Sequence, residues 1–332
     1  MTRVAVFGAG AMGTAFAMHL ARRGNETVLW ASPFDERVLP SLLSERRHPA
    51  LPETLPPSLR VLGPDALADA GREVEVGVIG AHSAGARTLT RTVVEGCGPP
   101  PILVGVAKGL EPGTANRMSE VYREECGHDR VVSVGGPCLA PELAAGLPTA
   151  AVFGAPGRET ADRAAEAFRS RELAVVVTDD LAGLEYCTVA KNVAAIGLGL
   201  LDGLGKTANR SYANAKAALF TQAFLEMEAL VVALGGRADT VRGLAGVGDT
   251  LVTSLGGRNR LFGEAVGEGM DPRTALEAMA SRGLTVEGWD SARDIGLLAR
   301  RAGTEVPFFT QVHRILFEGA PPESIFDCLP RG

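Results

Sequence analysis

Val4-Ala5-Val6-Phe7-Gly8-Ala9-Gly10-Ala11-Met12-Gly13-Thr14-Ala15 stands at the head of the chain. Its first four residues read as a short buried strand, and G-x-G-x-x-G follows at once. Thr14–Arg23 then repeats apolar residues at helical spacing, with Gly24 as the stop signal. Strand, glycine turn and helix in that order make the context in which this pattern binds a dinucleotide. Gly8 permits the tight turn, Gly10 lets the backbone approach a pyrophosphate, and Gly13 allows close packing of helix on strand. Amides at the helix start, with Ala11 and Met12 beside Gly13, would face the phosphate charge. The end of the second strand normally decides between NAD and NADP. Ser32 falls there, in Trp30-Ala31-Ser32-Pro33, while Asp35 comes slightly late and Arg37 is the nearest cation for a 2′-phosphate. NAD and NADP both stay open at this point.

The same rhythm continues outward. Thr27–Trp30, Val74–Gly80, Ile102–Ala107, Val131–Val134, Thr149–Phe153 and Leu173–Thr178 are Val/Ile-rich runs bounded mostly by Gly, Pro or Asp, and they read as strands. Only Leu39–Pro64, with six Pro, breaks the pattern and reads as a long surface connection. After Asp180 the strands cease. Leu184–Leu201, Asn214–Leu234, Pro272–Ala280, Ser291–Arg301 and Thr310–Phe317 read as helices, with Asp179 or Asp180 as the first cap. The expected fold is therefore an α/β N-terminal Rossmann-like domain with a mostly parallel sheet, residues 1-180, followed by an all-α C-terminal domain, residues 181-332.

Composition excludes several classes. With 332 residues, 46% of them hydrophobic, and a net charge of −6, the chain is neither disordered nor a polybasic nucleic-acid binder. No run of about 18 uncharged apolar residues occurs, and the first residues enter a strand, not a signal peptide. Five Cys without a C-x-x-C pair, and five His without ligand spacing, give no metal site and no disulfide framework. A cytoplasmic protein with no membrane insertion is expected. Its oligomeric state, a homodimer included, is open.

Of the 33 basic residues only four are Lys: 108, 191, 206 and 216. Where Arg serves as the default surface cation, a Lys in an apolar or Gly-rich setting deserves a chemical reading, because an ammonium can give up its proton and a guanidinium cannot. Lys206 and Lys216 need no such reading. Lys108 stands just beyond a strand end in Val104-Gly105-Val106-Ala107-Lys108, where open α/β sheets bind ligands. Lys191 lies in a nearly wholly apolar helix beside Asn192, so it either snorkels or sits in a cavity fit for acid–base work. A third cluster, Gly246-Val247-Gly248-Asp249 through Thr253 to Gly257-Arg258-Asn259-Arg260, offers a carboxylate and anion donors. Arg260 itself reads as a solvated charge at a helix start.

These blocks, in this order, resemble the NAD(P)-dependent glycerol-3-phosphate dehydrogenases of bacterial type. The resemblance runs through GAGAMGTAFA at 8–17, VAKGLE at 106–111, GGPCLAPELAAGLPTA at 135–150, VAKNVAAIGLGLLDGLG at 189–205, NAKAAL at 214–219, GLAGVGDTLVT at 243–253, GRNR at 257–260 and VEG at 286–288. It implies hydride transfer between a nicotinamide and C2 of a glycerol-3-phosphate/dihydroxyacetone-phosphate pair, in the service of phospholipid synthesis. Lys191 would be the catalytic acid/base, with Lys108 and Asp249 orienting the substrate. Arg258 and Asn259 would hold the phosphate. Gly136, Cys138, Asn192, Thr253 and Gly257 would complete the substrate contacts, and Ala140, Arg258 and Glu287 would lie by the cofactor. Departures from the family pattern fall at Met12, His82, Cys138, Leu139, Gly257, Gln222 and a lengthened 206–213 loop. They leave open a related dehydrogenase acting on another phosphorylated or phosphonate alcohol. A silent dinucleotide-binding regulator is disfavoured, since it would need none of Lys108, Lys191 and Asp249.

Overall fold

Alternate residues of the opening strand β1 (Arg3–Phe7) pack on opposite faces of one sheet. Val4 and Val6 enter one apolar cluster, Ala5 and Phe7 the other. This two-residue period repeats in the other central strands, which are buried on both faces as a parallel sheet requires. The computed structural model describes residues 2–330. Residues 1, 331 and 332, the outermost positions of the two expected domains, lie outside the described residues. The chain divides into two units between Leu181 and Ala182.

In the first unit, β1 is joined by β2 (Glu26–Trp30), β3 (Arg60–Leu62), β4 (Val76–Ile79), β5 (Ile102–Gly105), β6 (Val131–Gly135), β7 (Thr149–Gly154) and β8 (Leu173–Thr178). The sheet order is β3-β2-β1-β4-β5-β6-β7-β8, and every pair is parallel except β6 with β7. The strand order reverses direction at β1, so the ends of β1 and β4 form the switch-point crevice. Helices α1 (Ala11–Arg22), α2 (Leu39–Ser44), α3 (Leu67–Ala70), α4 (Ser83–Cys97), α5 (Met118–Cys126), α6 (Ala140–Ala144) and α7 (Arg158–Phe168) connect the strands. The Pro-rich stretch 39–64 is not a bare surface connection. It holds α2 and β3, and buries Leu42, Leu51, Leu55 and Leu59 in the same cluster as Val4 and Val6. Three-residue β3 is too short to show a period, and the prolines punctuate turns that fold back onto the core.

The second unit contains α8 (Leu181–Ala208), α9 (Ala213–Ala233), α10 (Ala238–Arg242), a π turn (Leu244–Gly248), α11 (Asp249–Leu255), α12 (Arg258–Gly267), α13 (Pro272–Ser281), α14 (Glu287–Ala302) and α15 (Pro307–Phe317). No strand occurs among its described residues. Helix α8 extends past Leu201 and absorbs Lys206, so the expected 206–213 loop shrinks to residues 209–212. Its most apolar window is 94% buried, which marks it as a core helix. Helices α11 and α12 add to the helices expected from the sequence. Glycines bring α8 and α12 together: a Cβ on Gly199 would stand 2.3 Å from the Arg260 carbonyl oxygen, and one on Gly203 would stand 2.1 Å from that of Glu264. Reciprocally, Gly263 and Gly267 would place a Cβ 2.1 and 2.2 Å from the carbonyl oxygens of Ile196 and Leu200. The two backbones touch.

Helix α15 has no side-chain cap of its own. Glu226 of α9, buried, supplies one: its carboxylate accepts from the amides of Phe308 (2.9 Å) and Phe309 (3.2 Å) and from Gln222 Nε2 (2.8 Å). Burial pushes the Glu226 carboxyl above its ordinary 4.5, against the pull of these three donors. The folded protein thus binds this proton more tightly than the unfolded chain. Stability contributed by the group is complete below the unfolded pKa and falls as pH rises through the folded one. Glu226→Gln leaves one backbone donor facing an amide N–H, and should lower the unfolding free energy by about 1–3 kcal/mol. Denaturant titrations across pH should also lose the Glu226 component of the slope above 4.5. Equal stability in the variant would show that the carboxylate is not the cap.

Candidate active site

In the first unit the fingerprint glycines meet at the switch point. Gly8 has φ +100°, a conformation that other residues rarely adopt. A Cβ on Gly13 would stand 2.5 Å from the Gly8 carbonyl oxygen, and one on Gly80, just past β4, 2.6 Å from the same atom. Gly10 is different. It has ordinary extended angles, and its Cβ would press on the Gly80 carbonyl oxygen at 3.3 Å but meet nothing else within 4 Å. The open side is space for a ligand. Gly10 caps α1 without a side chain, so the first-turn amides of Ala11, Met12 and Gly13 are left for an anion. These features fit the pyrophosphate of a dinucleotide. Ser32 is buried, and its hydroxyl donates to Asp35 Oδ2 at 2.6 Å, which engages it within its own turn.

Beyond the ends of β5 and β6, Lys108 Nζ donates to the Gly136 carbonyl oxygen at 3.0 Å. The Cys138 amide reaches the same oxygen at 2.9 Å, and its side chain is buried. Leu139 then caps α6, which Ala140 opens. His82 is exposed at the start of α4.

The second unit gathers the rest. Lys191 does not snorkel: it is 5% exposed, and its Nζ donates to Asp249 Oδ1 and to Thr253 Oγ1, each at 3.0 Å. Thr253 in turn donates to the Asp249 carbonyl oxygen at 2.6 Å, so its lone pairs face the ammonium. Asp249 follows the π turn, a local irregularity often found at functional sites. Burying this charge without its carboxylate partner would be costly.

Beside it runs an amide chain. The Gly288 amide donates to Asn259 Oδ1 (3.0 Å), and Asn259 Nδ2 donates to Asn192 Oδ1 (2.8 Å). Because a backbone N–H can only donate, both side-chain amides are oriented by this chain. It leaves Asn192 Nδ2 over, buried and with no partner among the described residues. Glu287 opens α14 next to Gly288, and Arg258 is exposed at the first position of α12, after Gly257 with φ +152°. Arg260 is not a solvated charge; it is half-buried and pairs with Asp202 (3.0 Å) and Glu264. Among the described residues no group of His, Cys, Asp and Glu could hold a metal ion. Asp35, weighed in the sequence only as a late acid after β2, contacts the backbone of Ala9 inside the fingerprint.

A nucleotide-type glycine cradle on a parallel sheet, and a buried Lys–Asp–Thr cluster on a helical unit, define a dehydrogenase-like protein. Residues 3–161 match the family model of the NAD-dependent glycerol-3-phosphate dehydrogenase N-terminus, and residues 180–327 that of the C-terminus. The chain belongs to the NAD-dependent glycerol-3-phosphate dehydrogenase family. It is 36% identical to a glycerol-3-phosphate dehydrogenase [NAD(P)+] of Salinibacter ruber, over 99% of this chain and 94% of that protein. An NADP(+)-dependent glycerol-3-phosphate dehydrogenase of Archaeoglobus fulgidus is 31% identical over 97% of each. The crystal structure of the Coxiella burnetii glycerol-3-phosphate dehydrogenase superposes with a TM-score of 0.86, at 31% identity and 98% coverage of both chains.

Gly10→Val should abolish dinucleotide binding in a calorimetric titration while the protein still melts cooperatively, because apart from the Gly80 carbonyl oxygen the new side chain enters open space. Retained affinity would remove the fingerprint reading. Gly263→Ala should force α12 off α8, at a cost of about 1–3 kcal/mol of stability. It should also disturb the Asn192–Asn259 bond, read as a changed side-chain amide resonance.

Proposed function

We propose that this protein interconverts dihydroxyacetone phosphate and sn-glycerol 3-phosphate with NAD(P)H. The observation that carries the reading is Lys191: a buried ammonium, fixed by Asp249 and Thr253, one residue from the unmet donor of Asn192. Family membership and the names of the relatives support the substrate pair. The five cysteines are all free thiols, compatible with a reducing cytoplasm. Gly8, Gly10, Gly13 and the first-turn amides of Ala11 and Met12 would hold the cofactor pyrophosphate. Ala140, Ser32 and Glu287 are further cofactor contacts on the resemblance. A bound nicotinamide supplies or accepts the hydride.

The chain's own residues do the rest. During reduction negative charge grows on the carbonyl oxygen, and Lys191 Nζ holds the proton that this oxygen takes up. In the reverse direction the same amine removes it. Asp249 and Thr253 keep Nζ in place and balance its charge in the dry interior. Asn192 Nδ2 donates to a substrate oxygen and thereby gains the partner it lacks. Arg258 is open to solvent, as a phosphate-binding guanidinium must be before substrate arrives, and Asn259 lies beside it. Lys108, Gly136, Cys138 and Gly257 enter the proposal as substrate contacts on the resemblance alone.

Loss of absorbance at the reduced-nicotinamide wavelength on adding dihydroxyacetone phosphate tests the reading. A higher kcat/KM for another phosphorylated or phosphonate alcohol would reassign the substrate, and no turnover with any would leave a binding protein. Lys191→Met and Lys191→Arg should both lose kcat by about 10²-fold or more with cofactor affinity intact, since neither exchanges a proton near neutral pH. A Lys191→Arg protein of near-normal kcat would show that charge, not the proton, is what position 191 provides.

A further inference from the structure

Ala9 is the residue between the first two fingerprint glycines, and it is fully buried. Its peptide groups are engaged on both sides. Its amide donates to Asp35 Oδ2 at 3.0 Å, and the same oxygen receives the Ser32 amide (2.8 Å) and hydroxyl (2.6 Å). One carboxylate oxygen thus ties the glycine loop to the end of β2. On the other side the Ala9 carbonyl oxygen takes the Thr14 hydroxyl at 3.3 Å.

We propose that Asp35 is a positioning residue for the dinucleotide, clamping the Ala9 amide so that the Gly8–Gly10 turn is set before the pyrophosphate arrives. This deepens the dinucleotide-binding reading above and rests on it. The physical gain is preorganisation: a loop already held in its bound shape loses less entropy on binding. Two features make a clamp of this contact, where a single bond would be incidental. One carboxylate oxygen holds both the Ala9 amide and the Ser32 turn, and the following peptide is held as well, its Ala9 carbonyl oxygen taking the Thr14 hydroxyl. The helix start that faces the phosphates follows two residues later, so any rotation of the Ala9 peptide re-aims it.

Two measurements test the clamp. In the cofactor-free wild-type protein, the Ala9 amide should exchange slowly with deuterium and change little on adding NADH or NADPH, whichever binds more tightly. An Ala9 amide that exchanges at loop rates and becomes protected only with cofactor would overturn the proposal. In titrations of the same cofactor, Asp35→Ala should raise Kd by about tenfold, the worth of roughly one hydrogen bond. Asp35→Asn keeps an acceptor oxygen, so it should bind within about threefold of wild type. A folded Asp35→Ala protein with unchanged Kd, or an Asn variant as weak as the Ala variant, would refute the role of Asp35. Failure of the wild type to bind either dinucleotide would instead refute the cofactor reading on which the clamp rests.

Discussion

Helices α8 and α12 meet without side chains between them. Gly199 and Gly203 on one, and Gly263 and Gly267 on the other, each lie where a single methyl would collide with a carbonyl oxygen of the partner. Close approach of this kind fixes distance and rotation together, because the surfaces in contact are backbone and have no rotamers to absorb an error. Asn192 on α8 and Asn259 on α12 stand upstream of that seam, and their 2.8 Å bond needs this spacing. Lys191 shares its helix with the seam, and Asp249 and Thr253 occupy α11, the helix immediately before α12. The chemistry proposed here therefore depends on four glycines that touch nothing reactive.

The first unit uses the same device for another end. Gly8, Gly13 and Gly80 bring α1 down onto the ends of β1 and β4, so that the start of a twelve-residue helix faces the crevice where the sheet reverses direction. Partial positive charge at that helix end and the absence of a side chain on Gly10 act together. Charge attracts the phosphate, and the missing Cβ lets it come close. Lys108, held by the Gly136 carbonyl oxygen beyond β5, adds a full charge at the same end of the sheet.

What the sequence revealed followed from how local each signal was. Seven strands were readable because each is an apolar run bounded by turn residues; β3, only three residues long, carries no such run. Lys191 drew attention because this chain otherwise writes its positive charge as Arg. Its environment, an Asp and a Thr 58 and 62 residues away, lay in a different block of sequence. Glycines served packing that no local pattern shows: Gly263 and Gly267 are the reason α12 fits against α8. Arg260 looked solvated because its partner Asp202 sits on another helix. Asp35 was unreadable as a part of the loop, since Ala9 lies 26 residues before it and no local pattern links them.

The cap that Glu226 gives to α15 has a consequence for how the second unit is assembled. A helix nucleus is unfavourable by itself, and its first amides need acceptors. Those of Phe308 and Phe309 find theirs 82 and 83 residues upstream in the chain. Helix α15, eleven residues long, is below the length at which isolated helices persist in water. During synthesis α9 emerges before residues 307–317, so the acceptors are made before the amides that need them. Helix α15 thus closes onto a carboxylate that precedes it in the nascent chain.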